Sequence, residues 1–167
     1  MENKLLKKSL SPIVDKQSKI LILGSLPSDK SIIANEYYGN KTNQFWKIIS
    51  LVFNNKEIIF DNYNEKITFL KLNHIALWDV YNLAQREGSL DSNIKNATFN
   101  DLKDLINNYP NIQQILVNGK KSQMGFEQYI KKEHIALNYK YIPSSSSANT
   151  KYSLYEKVQI WKEAIFF

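Results

Sequence analysis

The chain has 167 residues, which fits one domain, and its 43% hydrophobic and 13% aromatic content is typical of a packed core rather than of global disorder. It contains no cysteine and only two histidines, His74 and His134, so disulfides and iron–sulfur clusters are excluded and a structural zinc site is not expected. The formal net charge of +6 favours a polyanionic partner, because Lys and Arg side chains neutralise phosphates.

The sequence shows no targeting signal. The N-terminal segment MENKLLKKSLSP (1–12) lacks the long apolar stretch of a signal peptide, and no run approaches transmembrane length. We therefore expect a soluble, cytoplasmic protein without a membrane partner.

Four short apolar runs predict β-strands. In chain order they are KILILG (19–24), HIALWDV (74–80), QILVNG (114–119) and YKYIP (139–143). Continuous apolar runs of this length are typical of strands that are buried on both faces, as in a parallel sheet. His74 opens the second run, so we expect it to have a structural role.

Three helical patterns alternate with these strands. The first predicted helix begins near Gln44, and its apolar face comprises Phe45, Ile48, Ile49, Val52 and Phe53. The second ends at Pro110, and its apolar face comprises Phe99, Leu102, Leu105, Ile106 and Tyr109. The last begins with a capping box of Ser153 and Glu156, and its apolar face comprises Leu154, Val158, Trp161 and Ile165.

The resulting order, β-α-β-α-β-α-β-α, predicts a single three-layer α/β domain over residues 1–167, with a central four-stranded, mainly parallel sheet flanked by helices. In open sheets of this class, ligands bind beyond the carboxyl ends of the strands. Those ends correspond to residues 24–27, 79–80, 118–121 and 143–147. We therefore expect the functional site there.

The four consecutive serines in IPSSSSANT (142–150) allow two interpretations. Serine tracts are usually flexible linkers. This tract, however, directly follows the last predicted strand, so we expect it to form one wall of the site. Small hydroxyl residues at that place would let the main chain approach a bulky polar ligand.

Common catalytic patterns are missing from the carboxyl edge of the predicted sheet. The segment GSLPSDKSI (24–32) matches neither GxGxxG nor GxxxxGK[ST], which argues against a nucleotide-binding loop. Neither histidine lies at the carboxyl end of a strand, so a Ser-His-Asp site cannot be assembled. The remaining candidates for chemistry are Tyr37, Tyr38, Asn43 and Asp79.

Five segments carry a resemblance to a known family: ILILGSLP, YYGNKTNQFW, ALWDV, REGSLDS and IPSSSSAN. In this order they resemble the uracil-DNA glycosylase superfamily, and within it the hypoxanthine-DNA (deoxyinosine) glycosylase branch. The resemblance extends from Lys19 to Trp161. It implies a monofunctional glycosylase of base excision repair, which hydrolyses the N-glycosidic bond of a deaminated base in DNA, chiefly hypoxanthine. It also implies that no metal or other cofactor is used, and we expect a monomer.

Two positions depart from the pattern of relatives that remove uracil. Those relatives have an Asp or Asn before the proline of the first segment and a His or Asn before the Pro-Ser of the last, where this chain has Leu26 and Ile142. The departures argue against efficient general removal of uracil. They leave two alternatives beside a hypoxanthine glycosylase: a glycosylase of the same fold whose main substrate is uracil, and a catalytically silent module that binds DNA or senses lesions.

The resemblance implies that Asn43 is catalytic, since the asparagine of the asparagine-x-Phe-Trp segment is implicated in catalysis in the deoxyinosine branch. Cleavage of a glycosidic bond proceeds through an oxocarbenium-like sugar, and a side-chain amide can hold the attacking water beneath it. The alternative is that Asn43 only caps the helix that begins at Gln44, a common role of asparagine.

Four residues are expected to bind the base. The resemblance places Gly24 and Ser25 in the base pocket and Tyr38 where relatives stack an aromatic ring on the flipped base. Asp79 ends the second strand, and its ionised carboxylate is expected to accept a hydrogen bond from hypoxanthine N1–H and to repel the bare N1 of adenine. The alternatives are an ordinary half-buried tyrosine and a strand-end aspartate that caps a turn.

The expected contacts to the DNA backbone come from two segments. Lys120 and Lys121 lie at a strand-to-helix turn where they can hold phosphate, although a solvated lysine pair is an equal alternative. By the resemblance, Ser144, Ser145 and Ser146 press towards the minor groove and donate hydrogen bonds to phosphates. They offer no large apolar side chain to fill the space of an extruded base, so such a plug must come from elsewhere or be absent.

Overall fold

The computed structural model describes residues 5–167 and contains the predicted parallel sheet. Its four strands are β2 (Ile20–Gly24), β3 (Ile75–Asp79), β6 (Gln114–Asn118) and β7 (Lys140–Ile142). They lie in the spatial order β3-β2-β6-β7 and are all parallel. Each strand lies within the range predicted for it, so the strand predictions are confirmed.

Six helices accompany the sheet among the described residues. They are α1 (Asp29–Ala34), α2 (Phe45–Asn54), α3 (Tyr63–Leu72), α4 (Leu102–Asn108), α5 (Lys120–Lys132) and α6 (Leu154–Phe166). The predicted capping box of α6 is present, with the Ser153 hydroxyl accepting from the Glu156 N–H and the Glu156 carboxylate accepting from the Ser153 N–H. The helices α2, α4 and α6 confirm the three helical patterns.

The strand residues alternate between two apolar cores, which gives three layers. On one face, Ile22, Leu77 and Leu116 pack with residues of α2 and α6, including Phe45 and Trp161. On the other face, neighbouring strand residues such as Leu21, Leu23 and Val117 pack with α4 and α5. Successive side chains of a strand point to opposite faces, so each continuous apolar run fills both cores.

A second sheet was not predicted. It is antiparallel, has the order β1-β4-β5, and consists of β1 (Leu6–Lys8), β4 (Tyr81–Gln85) and β5 (Lys95–Phe99). The assignment of Phe99 to the apolar face of α4 was wrong, because this residue ends β5 and stacks on Tyr81 with ring centroids 5.7 Å apart. This sheet covers a small core that contains Leu26, Tyr81, Ala84 and Ile94.

Two further features bear on the predicted function classes. Across residues 5–167, no helix combines the length and the apolar character that a membrane crossing requires. In the same range, the His, Asp and Glu side chains do not form a group of three or more that could hold a metal ion.

Candidate active site

A cavity of about 600 Å³ opens at the carboxyl ends of the parallel strands. This volume lies within the range of roughly 300–1,000 Å³ that is usual for small-molecule sites. The structure brings every residue of the predicted site to the wall of this one cavity: Gly24, Ser25, Tyr38, Asn43, Asp79, Lys120, Lys121, Ser144, Ser145 and Ser146. Their individual roles stay predictions, but their proximity agrees with a common site.

Asn43 lies just before α2, where it contacts the start of the helix and also lines the cavity. Its Oδ1 accepts a hydrogen bond at 2.9 Å from the N–H of Phe45, the first helical residue, and so caps α2 from the position before the N-cap residue Gln44, whose own side chain makes no capping bond. The residue is half-buried and also lines the cavity. The cap fixes the orientation of the amide, while its Nδ2 makes no hydrogen bond to any residue that the structure describes.

Tyr38 forms an aromatic surface at the cavity. Its ring stacks on that of Phe45, with centroids 3.9 Å apart and an interplanar angle of 10°. Its backbone φ of 52° is uncommon for a residue with a side chain, which indicates that the surrounding contacts hold it in place. Burial raises the pKa of the Tyr38 hydroxyl, with a further contribution from the charge of Asp79. The hydroxyl therefore stays protonated at any physiological pH.

Asp79 is buried at the end of β3, with only 5% of its surface exposed. A Cβ atom at position 24 would lie 2.6 Å from Asp79 Oδ1, so only glycine permits this approach of the carboxylate to β2. Asp79 Oδ2 is out of contact with solvent and has no hydrogen-bond partner among the described residues. Burial, and next the negative charge of Asp91, raise the pKa of Asp79 to about 7.

Asn118 was missed by the sequence analysis, although it ends the third parallel strand. Its Nδ2 donates to the Tyr38 hydroxyl and to Ser145 Oγ, both at 3.0 Å, and its Oδ1 accepts from the Ser145 N–H at 3.0 Å. The amide is thus fully engaged, and it joins the aromatic surface to the serine tract. Its position at a strand end was the available signal, since Asp79 was selected on that basis.

The serine loop, residues 144–149, is fastened to the domain. Ser145 is 1% exposed, and its carbonyl accepts from the Gln44 N–H at 2.9 Å. The buried Lys157 donates to the Ser146 carbonyl at 3.2 Å, and Trp161 Nε1 donates to the Pro143 carbonyl at 2.9 Å. The tract is therefore a shaped wall rather than a linker, and Ser145 faces the protein, whereas Ser147 is exposed.

A second loop, residues 86–93, forms the opposite border of the cavity and was not assigned a role from the sequence. Arg86 is 1% exposed and donates to the backbone carbonyls of Leu26, Pro27 and Gly88. The loop places Asp91 against β2, where its Oδ1 accepts from Ser25 Oγ at 2.6 Å. Leu90, at the cavity mouth, is 59% exposed.

The two lysines occupy the first turn of α5. Lys120 is exposed, and Lys121 Nζ lies 5.9 Å from the centroid of the Tyr81 ring. The preceding Gly119 has a φ of 93°, and a Cβ atom there would lie 2.9 Å from Ser144 Cβ. Glycine is therefore required for α5 to begin directly beside the serine loop, and this places the lysines next to it.

A sequence profile of the family "Uracil DNA glycosylase superfamily" matches residues 11–165 of this chain. The chain belongs to this superfamily. The match includes both loops and all four strands of the parallel sheet, so the family predicted from the five segments is confirmed.

Individual members of the uracil DNA glycosylase superfamily resemble the chain over nearly its whole length. A Methanosarcina barkeri protein named "Hypoxanthine DNA glycosylase" is 38% identical over 160 residues, which are 95% of this chain and 97% of the relative. A Methanosarcina acetivorans protein of the same name is 37% identical over 163 residues, 97% of this chain and 99% of the relative.

A solved structure confirms the predicted fold. It is a solution NMR structure of a Methanosarcina acetivorans protein described as a candidate uracil DNA glycosylase. It matches with a TM-score of 0.77 and 34% sequence identity, and it covers 96% of this chain and 99% of its own.

The structure also explains the two departures from the uracil-removing members of the superfamily. Leu26 is 6% exposed and packs in the small core beneath the second sheet. Ile142 is completely buried among the residues of α2 and α6. Both positions therefore contribute to packing, and polar groups for catalysis must come from other residues of the cavity.

Proposed function

We propose that the protein is a monofunctional DNA glycosylase, which hydrolyses the N-glycosidic bond of deaminated bases in DNA, with hypoxanthine as the main substrate. The observation that carries the proposal is the single cavity that gathers Asn43, Tyr38 and Asp79 at the ligand-binding edge of a superfamily fold. The names of the two Methanosarcina relatives support the choice of base. Both alternatives, main action on uracil and catalytic silence, are less well supported.

Asn43 is proposed to hold the attacking water. In the hydrolysis, the bond between C1′ and the base nitrogen breaks and its electrons pass to the base, while the water oxygen bonds to C1′. One proton of that water ends on the departing base, so the products are the neutral base and an abasic sugar with a C1′ hydroxyl. The cap to the Phe45 N–H holds the amide in one orientation. The second lone pair of Oδ1 and the Nδ2–H groups then remain to position a water, and neither requires a shifted pKa.

Tyr38 and Asp79 are proposed to bind the extruded base. Stacking of one base on an aromatic side chain contributes roughly 1–3 kcal/mol and tolerates different bases. The layered pair of Tyr38 and Phe45 offers such a surface within the cavity. Asp79 is proposed to form hydrogen bonds with the edge of the base, with Gly24 and Ser25 lining the pocket beside it.

Lys120, Lys121 and the serine loop are proposed to hold the DNA backbone. The net charge of +6 favours phosphate binding, and the exposed Lys120 lies at the helix start beside the serine loop. Because Ser145 is turned inward, direct contacts to phosphate from this loop are proposed for Ser144 and Ser146, and for the exposed Ser147.

Leu90 is proposed to fill the space that the extruded base leaves in the stack. Extrusion requires a few kcal/mol of unstacking, which an inserted apolar side chain offsets in part. The serine loop has no such side chain, whereas Leu90 is a large apolar residue that is mostly exposed at the cavity mouth. We further propose that the protein acts as a monomer, in the cytoplasm, on nucleoid DNA.

Incubation with duplexes that carry a single inosine, uracil or xanthine, followed by alkaline cleavage at abasic sites, tests this proposal. We expect cleavage at inosine to exceed cleavage at uracil, and none in a matched adenine duplex. Faster cleavage at uracil would identify the first alternative. Binding to the lesion duplexes without any cleavage would identify the silent module.

A further inference from the structure

The base pocket contains two carboxylates and little to neutralise them. Asp79 and Asp91 both line the cavity, Asp79 beside Gly24 and Asp91 hydrogen-bonded to Ser25, the next residue of the chain. Among the described residues, neither aspartate forms an ion pair, since the two ion pairs present join Lys7 to Asp29 and Lys47 to Glu57. Two ionised carboxylates in one shielded pocket repel each other strongly.

Arg86 is a buried cation near both carboxylates, but three of its five N–H donors bind backbone carbonyls. Its guanidinium donates to the carbonyls of Leu26, Pro27 and Gly88 rather than to either carboxylate. Burial raises the pKa of Asp91, and three contacts act in the opposite direction: a hydrogen bond from Ser25 and the nearby charges of Arg86 and Lys121. For Asp79 the charge of Arg86 and the Ser9 hydroxyl act against burial, but its buried Oδ2 has no hydrogen-bond partner among the described residues. Of the two, Asp79 is therefore the one that retains a proton.

We infer that Asp79 acts on the base as a neutral carboxylic acid, and that Asp91 is the positioning residue that keeps the proton on it. The inference rests on the proposed function and deepens it, because it specifies how the pocket treats the base. A neutral carboxyl group offers a carbonyl acceptor and an O–H donor side by side. A lactam edge, an N–H next to a carbonyl as in hypoxanthine, pairs with both.

The chemistry of the reaction favours the neutral form. The base leaves with the electrons of the glycosidic bond, so negative charge develops on its ring and carbonyl oxygen. An O–H donor aimed at that charge stabilises the transition state, whereas an ionised carboxylate would oppose it. Buried carboxylic acids that stay neutral in order to donate a hydrogen bond are an established catalytic device. This assignment replaces the ionised acceptor expected from the sequence.

The electrostatic surroundings agree with this inference. Burial, followed by the charge of Asp91, raises the pKa of Asp79 to about 7, while Arg86 and the Ser9 hydroxyl act in the opposite direction. Tyr37 and Tyr38 are also near enough to interact with the charge of Asp79, and burial raises the pKa of both hydroxyls, so that they carry no charge. Removing the charge of Asp91 should therefore lower the pKa of Asp79.

Single-turnover excision of inosine between pH 5.5 and 8.5 tests the inference in the whole chain. If only the protonated form of Asp79 is active and its pKa is about 7, the rate should fall about tenfold from pH 6 to pH 8. Asp79→Asn, which keeps a donor and an acceptor, should be slower at pH 6 but show no such fall, and Asp79→Leu should be nearly inactive throughout. Asp91→Asn should move the fall to lower pH, whereas the control Glu87→Gln on the same loop should not.

A rate that rises through pH 7, or an Asp79→Asn profile that falls like that of the parent, would overturn the inference. A measurement without substrate separates it from the proposed function. Carboxyl ¹³C NMR of aspartate-labelled protein should show Asp79, identified by its loss in Asp79→Asn, titrating near neutral pH, and at lower pH in Asp91→Asn. A titration below pH 5 in the parent would refute the inference even if the protein excises inosine. A neutral titration that Asp91→Asn shifts would support it even if no base is excised.

Discussion

The two loops that border the cavity differ in how they are held and in what they add to it. The serine loop is fastened by Asn118, Lys157 and Trp161, and its most buried hydroxyl, that of Ser145, is turned into the protein. The 86–93 loop is fastened by Arg86, and it adds a carboxylate and an exposed leucine to the site. A conspicuous tract in the sequence thus serves mainly as scaffold, while a less conspicuous loop supplies the charge.

The largest expected effect comes from a residue of the cavity that belongs to neither loop. Asn43→Ala should reduce excision by on the order of 100-fold or more, because it removes the group proposed to position the water. If Asn43 only caps the helix, the same substitution should cost about 1 kcal/mol of stability and leave the rate nearly unchanged. Single-turnover kinetics, a melting curve and a binding isotherm distinguish these outcomes. An unchanged rate would return Asn43 to a capping role only.

Breaking the anchor of the serine loop should have the next largest effect. Asn118→Leu leaves the buried Ser145 and the Tyr38 hydroxyl without partners, and each unsatisfied buried group costs about 1–3 kcal/mol. We expect a lower melting temperature together with slower excision, since the loop and the aromatic surface both lose their position. Ser147→Ala, on the exposed part of the same loop, is the matched control and should be neutral in stability. A stable Asn118→Leu protein with parental activity would show that the loop needs no such anchor.

Shortening the Leu90 side chain tests the contribution of the 86–93 loop. Leu90→Ala should slow excision from duplex DNA by about tenfold, because less of the unstacking energy is recovered. Single-stranded inosine needs no plug, so its excision should be unaffected. Ile33→Ala removes a comparably exposed apolar side chain away from the cavity and serves as the control. Equal losses on both substrates would argue against the plug.

A charge added to the serine loop should have a smaller effect. Ser147→Asp should weaken duplex binding several-fold at low ionic strength, with a smaller loss at high salt, because screening reduces the repulsion between a carboxylate and phosphates. Ser147→Asn provides the uncharged control. Binding isotherms at two salt concentrations measure the difference. Parental affinity at both would mean that the exposed side of the loop does not face the backbone.

The last prediction concerns the pH dependence of stability rather than the activity on DNA. The pKa of Asp79 is raised in the folded chain to about 7, so folding holds a proton that the unfolded chain has released, and stability falls as pH rises towards 7. The slope for one group is at most about 1.4 kcal/mol per pH unit. Asp79→Asn removes this contribution. The melting temperature of the variant minus that of the parent should therefore be larger at pH 8 than at pH 5. A constant difference would contradict the raised pKa.

The sequence by itself determined the parallel sheet, the helices that alternate with it and the edge at which the site lies. The apolar run ILILG of β2 and the spacing of apolar residues along α6 are local patterns. Each shows directly in the sequence which faces of the element are apolar. The carboxyl ends of parallel strands meet at one edge, so the order of elements was sufficient to bring Asp79 and the serine tract to the same cavity, whereas Asn43, in the loop before α2, was selected through the family resemblance. The family was recognised from five short segments, which lie at or near the carboxyl edge of the parallel sheet.

Only the tertiary structure decided the antiparallel sheet, the inward orientation of Ser145 and the electrostatic state of Asp79. β1 pairs with β4 across a long separation in the sequence, and neither strand carries the continuous apolar run of a buried strand. The proton on Asp79, which ends β3, depends on Asp91 and Arg86, which both belong to the 86–93 loop. Burial, hydrogen-bond partners and the distance between charges are properties of contacts between remote segments, and no local pattern of residues contains them.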